Sequence, residues 1–344
     1  MKTTRRNLLG MFAAAAVSVA TFAHASAAEV TLRFHHFLPP QANMPKTVFS
    51  EWKSRIEKDS GGRLKIQEFP AMQLGGKPPE LIDQAVDGVA DIIWTLSGYT
   101  PGRFPIAEVF ELPFLLKDAE SASRAYWQFA QENMQEELKD IHPLALWVHG
   151  PGVIHSNKPV NTIEDLKGLK LRAPTRITNA MFKSLGATPV GMPVPAVPEA
   201  LSKGVVDGTV LPWELTGAFK IPELVKNHTM FDGEFIYTST FIMGMNKDAY
   251  NNLPADLKAV LDKNSGLELS GWFGKMIQSF DEPTYNKTKE AGNTIINVTG
   301  ADLDEWKAKA QPTIDQWVAD MNAKGKDGAT LLKRAKEILA ENTK

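Results

Sequence analysis

Two stretches of this chain, ELIDQAVDGVADIIW from Glu80 and EALSKGVVDGTVLPW from Glu199, follow one pattern. Each reads as a helix, an Asp-Gly break, an apolar strand, and a tryptophan at or just past the strand's carboxyl end, Trp94 and Trp213. Such units bury their apolar faces by packing helix on sheet, which confines the chain to an α/β architecture. Ligands of open α/β sheets bind at the carboxyl ends of strands. Two lobes built on these units would therefore turn both tryptophans toward a shared cleft. The alternative is coincidence between two helix-strand units packed by the same rules. Tryptophan is seldom fully buried, which favours a cleft position for at least one of them.

Helical and strand patterns alternate along the rest of the chain. Pro45 stands at a first helical position, Val48, Phe49, Trp52 and Ile56 recur at helix spacing, and Gly61-Gly62 ends the run. Residues 64–69 alternate as a strand, 121–140 form an amphipathic helix, and 144–148 form a strand. The theme repeats over 170–172, 179–185, 198–202 and 205–211, with an apolar β-rich run at 235–245 and a strand at 294–298. From Pro254 a long helical pattern passes through Leu257, Leu261, Leu269, Phe273 and Ile277 to Pro283, which must kink or break it. Two helices close the chain, one bearing Trp306 and Trp317, the other over 331–339.

Arg172 has the sharpest chemical implication. It ends the strand 170–172 beside Leu171, and Pro174 forces a turn directly after it. A guanidinium is always charged and holds five donors in a rigid fork. On a strand end it is shaped to grip a planar carboxylate or a phosphate bidentately. A structural ion pair inside the domain is the other reading, and the residues alone leave both open.

The N-terminus reads as an export signal. Lys2, Arg5 and Arg6 form a basic start, residues 10–22 are apolar, and Ala23-His24-Ala25 and Ala25-Ser26-Ala27 each fit a small-x-small cleavage site. The apolar run is too short to span a bilayer, so residues 1–25 (or 1–27) form a cleaved peptide. Thr4-Arg5-Arg6-Asn7-Leu8-Leu9 resembles a twin-arginine signal, with an ordinary Sec signal as the alternative. A mature chain of 317 to 319 residues suits two domains. Losing three positive charges and no acid takes the net charge from −2 to −5, which does not favour nucleic acid. The sequence has no cysteine, which removes disulfides, thiolate chemistry and a lipid-anchored N-terminal cysteine. A soluble periplasmic protein fits these features.

Catalytic signatures are missing: the sequence has no G-x-S-x-G elbow, phosphate-cradling P-loop, GxGxxG or HExxH. His35-His36 is the one adjacent histidine pair, and neighbours on a strand point to opposite faces, so core or cleft packing is expected of them. Neither a metal nor a cofactor is expected.

Further segments extend the pattern in a fixed order. LRFHHFLPP, FPAMQLGG, AVDGVADIIW, FELPFLL, SNKPV, DLKGLKLRAPT, LGATPVGMPV, EALSKGVVDG and NKDAYNNLPADLKAVL follow one another. In this set the chain resembles, over essentially its whole mature length, the DctP-type solute-binding subunits of tripartite ATP-independent periplasmic (TRAP) transporters. The resemblance implies a two-lobed, type II-like periplasmic-binding-protein fold with a long helix spanning both lobes. Lobe I is expected over 28–149 plus 238–277 and lobe II over 150–237 plus 278–344, hinged near 149, 237 and 278. It implies a periplasmic receptor, expected to be monomeric, that closes on a small organic acid and delivers it to TRAP membrane permease subunits.

In that family the arginine at the position of Arg172 holds the ligand's carboxylate. The resemblance lines the cleft with the strand end His36-Phe37, with Trp94, Thr95 and Ser97, with the stretch from His149 to Gly152, and with the segment after Asp207-Gly208. Lys158 sits where some relatives, those for sialic acid among them, carry a second arginine; a solvated loop lysine is the plainer reading. Many relatives have a carboxylate-binding asparagine just before the proline matching Pro212. Leu211 stands there instead, leaving Trp213, Glu214, Thr175 or Asn179 to replace it.

Phe37, Trp94 and Trp213 around one arginine fork would form an apolar, aromatic-walled pocket. Such a lining is poor in partners for a sugar acid. It suits an aromatic or branched apolar monocarboxylate, such as a benzoate, phenylacetate, cinnamate or aromatic 2-oxo acid. A C4-dicarboxylate is the runner-up, with Arg176 or Lys158 taking the second carboxylate, and a cationic group on the ligand follows if Glu214 faces the cleft. From a different class, an exported hydrolase would need His149, Glu214 and Ser156 to meet in one site. A receptor feeding a sensor kinase is a third reading.

Overall fold

The structure, a computed structural model, describes residues 28–343, so the export signal and its cleavage sites lie outside the described residues. The chain first lays down β1 (Val30–His36), α1 (Ser50–Asp59), β2 (Leu64–Phe69), α2 (Leu81–Val86), β3 (Ile92–Leu96), α3 (Ala119–Asn133) and β4 (Ile141–Val148). It then crosses to a second sheet with β5 (Val153–Ser156), β6 (Lys170–Ala173), α4 (Arg176–Ser184), β7 (Thr188–Gly191), α5 (Val197–Ser202), β8 (Gly208–Leu211), α6 (Trp213–Thr216), α7 (Ile221–Leu224) and β9 (Asn227–Met230). β10 (Thr240–Asn246), α8 (Lys247–Asn251), α9 (Ala255–Lys263) and α10 (Gly266–Ser279) return to the first sheet. α11 (Asp281–Glu290) and β11 (Thr294–Asn297) join the second, and α12 (Gly300–Ala323) and α13 (Gly328–Asn342) finish the chain.

The first sheet has the order β2-β1-β3-β10-β4 and the second β11-β9-β5-β8-β6-β7. In the first, β1 runs parallel to β2 and β3, placing His36 opposite Trp94, and β10 is the antiparallel insert. In the second, β6 lies parallel between β7 and β8, placing Arg172 opposite Thr209. The predicted α/β class and the alternating units are thus both present, one sheet per lobe. The helix expected over 121–140 is shorter and starts earlier. Asp118 caps it by accepting from the Ser121 amide at 2.8 Å, and the chain leaves it at Met134.

The long helical pattern expected from Pro254 is broken twice. α9 ends at its C-cap Asn264, and Ser265 is extended (φ −137°, ψ −178°) before α10 begins. α10 and α11 then lie nearly end to end, α10 against α3 and β4 of the first lobe and α11 against α6 of the second. The second interruption falls at Phe280 (φ −87°, ψ −5°), before Pro283. A proline ring collides with the carbonyl four residues earlier, here that of Ser279, so the break appears one turn upstream of the proline. α12 also bridges the lobes. Trp306 packs on Phe231 of lobe II, with ring centroids 4.9 Å apart, while the Trp317 indole donates to the Pro105 carbonyl of lobe I at 3.2 Å.

The last helix departs from the expected division of the chain. The reading of 278–344 as lobe II would keep α13 there, yet it lies on α3 of lobe I. Arg334 pairs with Glu132 at 2.7 Å, and Asn342 donates to Gln128 at 2.7 Å. Its buried face, Ala335, Ile338 and Leu339, completes the lobe I core. This apolar stripe marked the helix in the sequence but did not say which lobe it would cover.

Candidate ligand-binding site

β6 alternates as a strand must. Leu171 enters the core of the second lobe, and Arg172, 1% exposed, points to the opposite face. Its Nε donates to the Met192 carbonyl at 2.9 Å and one terminal nitrogen to the Val210 carbonyl at 3.2 Å. Two neighbouring strand ends thereby fix the plane of the fork. Among the described residues no carboxylate lies within ion-pair distance of it. The structural ion pair is therefore ruled out. A buried cation without a counterion carries a desolvation cost of several kcal/mol. An anion arriving from outside would relieve it.

The guanidinium borders a cavity between the lobes. Lobe I contributes Phe37, Leu38, Trp94, Leu96, Tyr99 and Phe241, and lobe II contributes Val194, Leu211, Glu214 and Leu215. His149, Tyr237 and Ser239 come from the chain crossings. The aromatic wall is layered: Phe37 stacks on Trp94 at 5.0 Å and 27°, and Trp94 on Trp147 at 5.7 Å and 14°. These contacts hold the rings before any ligand arrives.

The polar groups around Arg172 are neutral. The Tyr99 hydroxyl accepts from the Val194 amide at 2.9 Å, which leaves its own hydrogen free to donate. Burial raises the phenols of both Tyr99 and Tyr237 above their ordinary range, with Arg172 partly opposing the shift. His149 Nδ1 donates to the Gly150 carbonyl at 2.6 Å, and burial lowers its pKa to about 4, so the ring is uncharged at neutral pH. Glu214 is 4% exposed, and burial aided by the nearby Asp281 charge holds its pKa well above the usual carboxylate range. One cation in an apolar room can hold one carboxylate.

Of the residues expected at the cleft, Phe37, Trp94, His149, Arg172 and Glu214 meet in this cavity. The others do not line it, for identifiable reasons. His36 turns behind the aromatic wall to bond Glu68 at 2.8 Å, and His35 bonds Gln84 at 2.7 Å. The Thr95 hydroxyl donates to the Pro78 carbonyl at 3.3 Å, and Ser97 bonds Thr240. Thr175 is the N-cap of α4, and Asn179 spends its amide on the Ala173 and Thr175 carbonyls at 3.2 and 2.6 Å. Trp213 departs from its counterpart Trp94 because Pro212 ends β8 and Trp213 opens α6. Its ring packs on His155, His228 and Tyr285, and its neighbour Glu214 faces the cavity instead.

Neither proposed second cation is available. Arg176 is held by Glu108 and by Asp320 at 2.6 Å, and Lys158 is exposed on a loop. The hydrolase arrangement is not assembled either, since the Ser156 hydroxyl donates to the Lys158 carbonyl at 2.6 Å and does not line the cavity. Tyr99, Tyr237, Ser239 and Phe241 are lining residues that the sequence patterns did not single out. Tyr99 follows the flagged segment 94–97 by two residues and Tyr237 sits at an expected crossing, so their neighbourhoods were marked though the tyrosines themselves were not.

The lobes touch across the cavity. Besides the Tyr99–Val194 bond, the Asn43 side chain donates to the Glu214 carbonyl at 3.1 Å. Gly98 lies against Thr175 so closely that a Cβ there would fall 2.5 Å from Thr175 Cγ2. Thr175 is buried and branched, so the overlap cannot be relieved by a rotamer change. Gly98→Ala is expected to hold the lobes apart and weaken ligand binding by about 1–3 kcal/mol, the scale of overpacking. Calorimetric titration with small-angle scattering checks this; parental affinity in the variant would show that this contact does not govern closure.

Residues 34–320 match the family described as Bacterial extracellular solute-binding protein, family 7. A TRAP solute-binding protein from Rhodoferax ferrireducens, solved with copurified benzoate, is 48% identical and superposes with a TM-score of 0.90 over 91% of this chain and 98% of that one. A marine metagenome TRAP solute-binding protein specific for aromatic acid ligands, solved with 3-hydroxybenzoate, is 44% identical with a TM-score of 0.90 over 92% and 100% of the two chains. The C4-dicarboxylate-binding periplasmic protein of Rhodobacter capsulatus is 27% identical over 93% of this chain and 96% of its own.

Proposed function

The chain belongs to family 7 of the bacterial extracellular solute-binding proteins, and from that premise we propose that it is the periplasmic receptor of a TRAP transporter for an aromatic monocarboxylate. Arg172 grips the carboxylate, with Tyr99 and Tyr237 as neutral donors beside it. Phe37, Trp94 and Phe241 cover the ring and exclude water. Closure follows because some contacts form only when both lobes touch the ligand. The observation that carries this reading is the buried, counterion-free guanidinium in an aromatic cavity with no second free cation. The aromatic ligands of the two relatives above support it. The receptor delivers its cargo as a monomer to the membrane permease subunits and performs no covalent chemistry.

A thermal-shift screen of mature protein, stripped of copurified ligand by unfolding and refolding, tests the ligand class. Ligand that binds only the native state at a thousand times its Kd adds about 4 kcal/mol of stability. Benzoate, hydroxybenzoates and phenylacetate are expected to raise the melting temperature, and succinate and malate to leave it where it is. Shifts confined to the dicarboxylates would overturn the aromatic assignment and keep the receptor role. Shifts with no aromatic acid would overturn the ligand class outright.

A further inference from the structure

Arg172 accounts for one end of the cavity and leaves a second polar feature unused. Glu214, from the first turn of α6, lines the same space, and its Oε2 is buried without a hydrogen-bond partner. Burying a carboxyl oxygen unpaired is costly, so native structures rarely leave one so. It is not a counterion for Arg172, since no ion pair joins them. Its backbone amide is anchored on Asp281 at 2.8 Å and its carbonyl receives Asn43 at 3.1 Å, which fixes the side chain's root from both lobes. The cavity thus has two poles among its aromatic side chains, an anion grip at Arg172 and an unsatisfied carboxyl oxygen at Glu214.

We propose that Glu214 is the specificity-determining residue of this cavity and that the preferred ligand is an aromatic acid bearing a ring hydroxyl, whose O–H Glu214 accepts. This rests on the aromatic-acid reading above and names the ligand class more closely. A hydroxyl matches the pole because it can both donate and accept, and a buried carboxyl kept neutral by its surroundings does the same. An ammonium group would require the ionised acid beside Asp281, whose own carboxyl is buried. Sites built to hydrogen-bond a ligand hydroxyl discriminate strongly against analogues lacking it, because the site's own polar group is then left unpaired.

The test is calorimetric titration of the stripped mature protein with benzoate, the 2-, 3- and 4-hydroxybenzoates, and 3-(aminomethyl)benzoate. At least one hydroxybenzoate is expected to bind about tenfold or more tightly than benzoate. In Glu214→Leu, and in Glu214→Gln if the leucine variant fails to fold, the ratio of the two affinities is the readout. Leucine is expected to shrink the preference to within about threefold and glutamine to retain part of it. A merely structural role would weaken both ligands together and leave the ratio in place, which overturns the proposal. Equal binding of benzoate and every hydroxybenzoate by the parent protein also overturns it while leaving the aromatic receptor intact. So does tighter binding of 3-(aminomethyl)benzoate, which would assign the pole to a cation. Failure of all these acids to bind overturns the aromatic reading itself.

Discussion

Arg172→Ala is expected to fold like the parent and to lose about 2–5 kcal/mol of affinity for benzoate, the range for removing one partner of a buried, hydrogen-bonded charge pair. Arg172 is buried and already held by two carbonyls, so little side-chain freedom is lost when a ligand arrives. Its bonds to a bound carboxylate would be charge-assisted and would form among apolar side chains. Removing the guanidinium would bury the ligand's carboxylate against tyrosine hydroxyls alone. Calorimetric titration reads the loss, and thermal unfolding without ligand separates binding from folding. The unliganded variant is expected to melt no lower than the parent, because the substitution removes an uncompensated buried cation. Arg172→Lys should recover only part of the affinity, since an ammonium cannot span the Met192 and Val210 carbonyls while presenting a fork. A folded Arg172→Ala that binds benzoate as the parent does would refute the carboxylate grip.

How far the sequence foretold this site depends on what each residue is doing. Arg172 was legible because a charged group on an apolar strand has few explanations, and Trp94 because it lies on a strand of a sheet that must meet a cleft, although β3 runs two residues past it to Leu96 and places it mid-strand. Trp213 was misread through the same pattern. The repeat identifies the unit, but a single proline before the tryptophan converts strand into helix and turns the ring away. Thr175 and Asn179 illustrate a competing demand: short polar side chains near a helix start are consumed by the backbone there. Tyr99 and Tyr237 escaped because nothing local distinguishes a tyrosine lining a cleft from one in a core. The distinction arises only when two lobes close on it. The placement of α13 on lobe I was hidden for the same reason, since an amphipathic stripe says that a partner exists and not which one.

Asp281 carries the second large effect, on stability. It opens α11 just past the break at Phe280, accepts from the Glu214 amide, and leaves its other oxygen buried and unpartnered. Gly150, at the first crossing, packs on that oxygen so tightly that a Cβ would fall 2.1 Å away. Burial raises its pKa from 3.8 to about 7, only partly offset by the bond from the Glu214 amide. An acid whose folded pKa is raised contributes stability that is fully present below its unfolded pKa and is lost as pH rises through the folded one. For Asp281 the loss runs from about pH 4 to about pH 7 and is on the order of 4 kcal/mol when complete. Glu111, also raised to about 7 by burial, acts with the same sign. His149, lowered to about 4, acts oppositely, losing stability as pH falls below its ordinary value. The parent's own curve therefore mixes terms that partly cancel, and the informative quantity is its difference from Asp281→Asn. That variant keeps the acceptor for the Glu214 amide and removes the ionisation. The two proteins are expected to unfold alike at pH 4, and the variant to become progressively more stable than the parent toward pH 7 and above. Denaturant unfolding at several pH values measures the gap. A gap that stays constant with pH would mean that Asp281 ionises in the folded protein as freely as in the unfolded chain, and that its burial at the hinge costs nothing.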